Sequence, residues 1–121
     1  AAPPATRALL VEALLRRGDH ARATSIVADG AGTASPEWSR LSAATHIANG
    51  RYDEAIALLD THLATRADDA DARWLLLHAM YGSVVKGGNK DRFVNAARAY
   101  IDGKGAHAEL AGEWLRIVST S

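Results

Sequence analysis

The chain has 121 residues, of which 48% are hydrophobic and 23% are charged, and this size and composition predict one folded domain. Fourteen basic and fourteen acidic residues cancel at pH 7, so no overall charge favours nucleic acid or an anionic membrane. The alanine-rich composition argues against an all-β fold, and the absence of cysteine excludes disulfides and thiolate zinc sites. No apolar run approaches the roughly 20 residues needed to span a membrane.

The first four predicted helices are separated by recognisable turn and capping residues. Gly18 ends the first helix as a C′ glycine does, and Asp19 is the predicted N-cap of the second. Ser35 is the predicted N-cap of the third, with Pro36 in its first turn. These signals and the apolar periodicity predict helices over residues 6–17, 19–29, 36–48 and 52–65.

Three further helices are predicted in the second half of the chain. Acidic residues at 68, 69 and 71 suit a helix N-terminus. Turns rich in glycine at 86–89 and 102–105 interrupt the helical pattern. The predicted helices cover residues 71–84, 90–101 and 107–118, and no alternating strand pattern is present.

The helices repeat with a period of about 35 residues. Gly18 and Gly50 are 32 residues apart. The pattern Trp-x-x-Leu at Trp38 recurs 36 residues later at Trp74, and a related Trp-x-x-Ile follows at Trp114. Each unit contains two helices, which is typical of a helical solenoid in which no repeat buries its core alone.

Residues 50–59 carry the spacing G-x-Y-x-x-A-x-x-x-L and resemble the second helix of a tetratricopeptide repeat (TPR). Residues 18–23 resemble a weaker copy in which His20 replaces the usual tyrosine, and residues 74–81 match the first-helix pattern W-x-x-L-x-x-x-Y. Two helices depart from the family: in residues 36–48 Trp38 is one place early, and residues 90–101 lack the glycine spacing. The positions that carry the resemblance are Gly18, Ala23, Gly50, Tyr52, Ala55, Leu59, Trp74, Leu77 and Tyr81.

The resemblance implies an all-α, right-handed helical solenoid with a protein-binding role. We expect a single domain over 1–121, with repeats at about 6–30, 36–66 and 69–102 and a terminal helix at 106–118. First helices line a concave groove in this family, which here implies Arg40, Ala44, Ala48, Leu75 and Ala79. The Lys/Asn cluster by which some members hold a peptide carboxylate is not visible in the sequence, so recognition of an acidic C-terminal tail is not supported.

The sequence contains no pattern typical of an enzyme, a metal site or a cofactor site. The five histidines form no His-x-x-x-His pair on one helix face, and His46, His62 and His78 fall on different predicted helices. Residues 87–90 lack the other features of a phosphate-binding loop. Carboxylate pairs such as Asp68 and Asp69 lie at helix starts, where capping explains them. We therefore expect no catalytic residue, no metal and no cofactor.

Two unlike apolar ends indicate self-association as the function. The final predicted helix is too apolar to be the polar cap that solenoids need for solubility, and the first helix has more apolar residues than one neighbour can cover. Unlike ends make a heterologous contact, which gives a filament or a ring. The expected subunit interface contains Leu9, Leu10, Leu14, Leu110, Trp114, Leu115 and Val118.

Two other functions stay open from the sequence. The chain could be a monomeric adaptor that binds a peptide or protein in the groove, or a fragment of a larger TPR protein whose other repeats cover the ends. The Ala-Ala-Pro-Pro start resembles a chain released by a signal peptidase. We therefore expect a secreted or extracytoplasmic fibre subunit, with a cytoplasmic location also open.

Overall fold

The computed structural model describes residues 4–29 and 36–120, and helices joined by turns are the only regular secondary structure in them. Every predicted helix is present, and each predicted bound lies within two residues of the observed one. The prediction of an all-α chain is therefore confirmed for the described residues, whereas the predicted cap Ser35 lies outside them. The seven helices are α1 (Pro4–Arg16), α2 (His20–Asp29), α3 (Pro36–Ala48), α4 (Tyr52–Thr65), α5 (Ala70–Val85), α6 (Lys90–Asp102) and α7 (Ala108–Ser119).

Local chemistry explains where the helices begin and end. Gly18 and Gly50 follow α1 and α3 with φ of +78° and +74°, a left-handed conformation that glycine adopts without steric cost. The Asp19 carboxylate accepts a hydrogen bond from the Arg22 amide at the start of α2. Asp69 is the N-cap of α5 and accepts a hydrogen bond from the amide of Ala72, so the capping role predicted for this carboxylate is confirmed.

Helix contacts are restricted to near neighbours in sequence. Each helix packs on the next one along the chain, and the odd-numbered helices also pack in the pairs α1–α3, α3–α5 and α5–α7. Among the described residues, the even-numbered helices do not pack closely on one another, although Arg92 on α6 donates hydrogen bonds to the Asp60 carboxylate on α4. In the same residues, α1 does not contact α7.

Fully buried alanines occupy the places where these helices meet. They allow two backbones to approach closely, and larger side chains such as Phe93, Leu59 and Leu77 fill the remaining space at the density usual for protein interiors. Two of the alanines, Ala23 and Ala55, occupy predicted repeat positions. The alanines with no exposed surface are Ala23, Ala43, Ala55, Ala72, Ala79, Ala97 and Ala111.

Replacement of Ala55 by leucine tests this close packing. Ala55 is fully buried against Ile47 and Ala79, so Ala55→Leu should overpack the contact and lower the free energy of unfolding by about 1–3 kcal/mol. Urea denaturation followed by circular dichroism measures this change. Ala57 lies on the same helix and is exposed, so Ala57→Leu should leave stability nearly unchanged. Equal effects of the two substitutions would contradict the assignment of Ala55 to a tight helix contact.

Candidate functional site

A groove between α1, α3 and α5 contains three of the five residues predicted for a binding surface. Arg40, Ala44 and Leu75 line this cavity of about 400 Å³. Glu12, Arg16 and Asp71 add charge to it, and Leu15, Leu41 and Trp74 add apolar surface. The groove thus combines apolar with charged lining residues, a mixture that suits a ligand-binding pocket.

The other two predicted groove residues lie elsewhere. Ala79 is fully buried in a cluster with Ile47 and Ala55, so its prediction as a groove residue is wrong: a ligand in the groove could not reach it. Ala48 is half-buried but is not among the residues that line the groove. Ala79 follows the same helical period as Leu75, but it faces α3 and α4 because helices α3, α4 and α5 meet at this point.

Arg40 is held by the protein itself at the edge of the groove. Its Nη1 donates a hydrogen bond to Asp69 Oδ2 at 2.8 Å, and the same oxygen lies 2.7 Å from His62 Nε2. Because Asp69 is ionised at neutral pH, His62 Nε2 is the donor of that contact. The side chain of His62 is buried, and the three groups tie together α3, α4 and the start of α5. The repeat pattern did not predict this network, because Asp69 lies 7 residues from His62 and 29 residues from Arg40 in the sequence.

The pKa of Asp69 records how strongly the carboxylate is held. Burial by itself raises that pKa, but hydrogen bonds from His62, from the Ala72 amide and from Arg40, together with the Arg40 charge, outweigh burial and lower it to about 2. The side chain is 12% exposed, so solvent screens these contacts only weakly. A pKa that is lower in the folded state means that the carboxylate stabilises the fold above its unfolded pKa of 3.8.

Substitution of Asp69 by asparagine should therefore have a pH-dependent effect. Above about pH 4, Asp69→Asn should lower the free energy of unfolding by roughly 2–3 kcal/mol. This difference should shrink as the pH falls towards 2, because the wild-type carboxylate then becomes protonated. Urea titrations at several pH values measure the difference. Asp68→Asn is the matched control, since Asp68 is exposed, and a similar loss in both variants at pH 7 would contradict the role given to Asp69.

Four stacked rings fix α7 against α5. The rings of His107 and Trp74 are 4.3 Å apart, those of Trp74 and Trp114 are 4.9 Å apart, and those of Trp114 and Tyr81 are 4.7 Å apart. Such contacts contribute beyond the area they bury. His78 touches both tryptophan rings, and its burial lowers its pKa. Trp114, predicted as a subunit anchor, therefore packs inside its own chain.

A second cavity, of about 540 Å³, lies on the other side of Trp74. Tyr100 and His107 form part of its wall, and Asp71 and Trp74 line both this cavity and the groove. Leu63, Leu76 and Leu77 contribute apolar surface. The indole of Trp74 thus separates two neighbouring depressions, and the sequence had assigned it only a repeat position.

The terminal helices carry four of the five large apolar side chains that are exposed among the described residues. Leu9 and Leu10 on α1 are 67% and 49% exposed, and Leu110 and Ile117 on α7 are 45% and 50% exposed. Only Val85, at the end of α5, is a similarly exposed large apolar residue in the described ranges. Leu9, Leu10 and Leu110 were predicted for the subunit interface, whereas Ile117 was not among the predicted interface residues.

The remaining predicted interface residues Leu14, Leu115 and Val118 pack against the hydrophobic core of their own chain. Leu14 is buried with Val11 between α1, α2 and α3, and Val118 is buried in the cluster of α5, α6 and α7. The prediction of Leu14 and Val118 as interface residues is therefore wrong, because these buried side chains cannot contact another subunit directly. Leu115 is half-buried and packs against the same cluster as Val118, so it offers little surface to another subunit.

Two further features are absent from the described residues. No group of three or more histidine, cysteine or acidic side chains in 4–29 and 36–120 could hold a metal ion. In the same ranges, no helix has the length and apolar character to cross a bilayer. Comparison with known proteins finds no matching family model, no matching curated protein and no matching solved structure.

Proposed function

We propose that the chain is a non-enzymatic, TPR-like scaffold whose helices form a solenoid and whose copies associate head to tail. The single observation that carries the proposal is the concentration of exposed large apolar side chains on α1 and α7. Contiguous apolar surface on a soluble domain marks an interaction site. The contacts of each helix with its near neighbours only support the solenoid part of the proposal.

The two surfaces differ from each other, and this decides the kind of assembly. The α1 surface presents Leu9 and Leu10, and the α7 surface presents Leu110 and Ile117. Because α1 and α7 do not touch within the described chain, both surfaces are open at the same time. Contact between unlike surfaces on successive copies is heterologous, so it continues into a filament unless the rotation closes a ring.

Peptide binding in the groove is the second candidate function. The groove of about 400 Å³ between α1, α3 and α5 favours it. Arg40, which lines the groove, is already paired with Asp69, so a ligand must find its charge partners among the other charged lining residues, Glu12, Arg16 and Asp71. A monomeric adaptor predicts a single sedimenting species at all concentrations, whereas the scaffold predicts growth with concentration.

Single aspartate substitutions test the two proposed surfaces separately. Leu10→Asp and Leu110→Asp should each abolish assembly, because loss of an interface anchor costs on the order of 2–4 kcal/mol, or tens to hundreds of fold in affinity. Sedimentation velocity over a range of concentrations measures assembly, and circular dichroism checks that the helices persist. Val85→Asp is the matched control, since Val85 is exposed but lies on neither terminal helix.

Mixing the two variants distinguishes a head-to-tail contact from a symmetric one. Each variant keeps one intact surface, so a mixture should form a heterodimer that neither variant forms alone. If each variant alone assembled as strongly as the unmodified chain, that result would contradict the proposal. A purely monomeric unmodified chain would favour the adaptor or a fragment whose missing repeats cover both ends.

A further inference from the structure

The second cavity lies where α4, α5, α6 and the turn before α7 meet, and it is large enough for a small molecule. Its volume of about 540 Å³ falls within the roughly 300–1,000 Å³ that is usual for ligand pockets. Leu63, Leu77 and Ala96 line it from the three helices, and Gly105 and His107 line it from the turn. Because its walls come from four different segments, the cavity suits a compact ligand better than a helix laid across the surface.

Two aromatic side chains in the wall are held in place by the protein itself. The Trp74 indole stacks on Trp114 with ring centres 4.9 Å apart, and the rings of Trp74 and Tyr100 lie 5.7 Å apart. The Tyr100 ring packs so closely on Gly105 that a Cβ atom at residue 105 would overlap it. This part of the wall is therefore formed before a ligand arrives, and a preformed site loses less affinity to ordering.

The Tyr100 hydroxyl can supply one directional polar contact in this wall. Its oxygen accepts a hydrogen bond from the His107 amide at 3.1 Å. A tyrosine hydroxyl can also donate, and no group in 4–29 and 36–120 accepts a hydrogen bond from this one. Within the described chain, the hydroxyl hydrogen thus remains available to an acceptor on a ligand.

The charged residues of the cavity favour a ligand without a net charge. Asp71 is the only acid, and Arg73 the only lysine or arginine, among the described residues that line it. They are two residues apart on α5, so they project from the helix about 200° apart. A charged ligand would be attracted by one and repelled by the other, and the loss of its hydration would be poorly compensated.

We propose that the second cavity binds a small, flat, uncharged aromatic molecule that carries a hydrogen-bond acceptor. The apolar lining and the Trp74 and Tyr100 rings contact its ring system, and the Tyr100 hydroxyl donates to its acceptor. This ligand site goes beyond the scaffold function and is independent of head-to-tail association, because none of the exposed apolar side chains of α1 and α7 lines the cavity.

Three probes that share a naphthalene ring test the site and its charge preference. At pH 7, the neutral 2-naphthol should bind with a Kd of about 0.1–1 mM, as expected for a probe of about eleven non-hydrogen atoms. The anion 2-naphthoate and the cation 2-naphthylmethylammonium should each bind at least about 5-fold more weakly. Amide NMR spectra of the isotope-labelled chain measure each Kd, and the amides of Tyr100 and of residues 103–107 should shift on binding.

Two substitutions in the wall test whether the probe occupies this cavity. Ala99 is exposed and lines the cavity, so Ala99→Leu should weaken 2-naphthol binding by about 10-fold or more, because the added side chain takes the space of the probe. Tyr100→Phe removes the donor and should weaken binding by about 2- to 10-fold. Ala57→Leu is the matched control, since Ala57 is exposed but does not line this cavity.

The possible outcomes separate the site from the class of ligand. Shifts at Tyr100 and the 103–107 turn that weaken in Ala99→Leu and persist in Ala57→Leu support the site. Tighter binding of either charged probe overturns the ligand class, and unchanged affinity in Tyr100→Phe overturns the hydroxyl contact. The absence of a saturable shift with 2-naphthol, equal binding by Ala99→Leu, or shifts confined to the groove between α1, α3 and α5 overturns the site itself.

Discussion

The restriction of every helix contact to neighbours one or two places away along the chain is the constraint on which the rest of the structure depends. A helix in the middle of the chain is covered on both sides by earlier and later helices. Helices α1 and α7 lack that cover on one side in the described structure, and their outer faces hold four large, exposed apolar side chains. Burial of such surface is the main favourable term in protein association.

Close approach of the helices depends on small residues, whereas their relative placement depends on polar and aromatic contacts. Alanines with no exposed surface lie where helices meet. The Asp69 carboxylate joins His62 and Arg40, and the stacked rings of Trp74 and Trp114 join α5 to α7. A buried carboxylate is costly unless it is paired, so the network specifies one arrangement of α3, α4 and α5 and leaves Arg40 less available to a ligand.

Local signals predicted the helices well because capping and periodicity are properties of neighbouring residues. Gly18 and Gly50 follow helices with a positive φ, and Ala23 and Ala55, two positions of the repeat pattern, are fully buried. Exposure was harder to predict. Leu10 and Leu14 belong to the same apolar pattern, but Leu14 faces the core while Leu10 faces solvent. Periodicity shows that a helix has an apolar stripe without showing which part of a wide stripe faces the core.

Contacts between distant parts of the chain explain the remaining differences. Trp114 was predicted at a subunit surface because it is the largest apolar residue of its helix, yet Trp74 and Tyr81 on α5 stack against it. The network of His62, Asp69 and Arg40 likewise forms only after three helices have packed. Ile117 was not among the predicted interface residues, although it is half exposed.

The central claim is that other copies of the chain cover the outer faces of α1 and α7. Hydrogen–deuterium exchange measured at low and high protein concentration tests it most directly, because it reports protection helix by helix. The account predicts that amides of α1 and α7 exchange more slowly at high concentration, while amides of α3, α4 and α5 are unchanged. Exchange that is independent of concentration, or protection gained in α3 and α5 instead, would contradict the account.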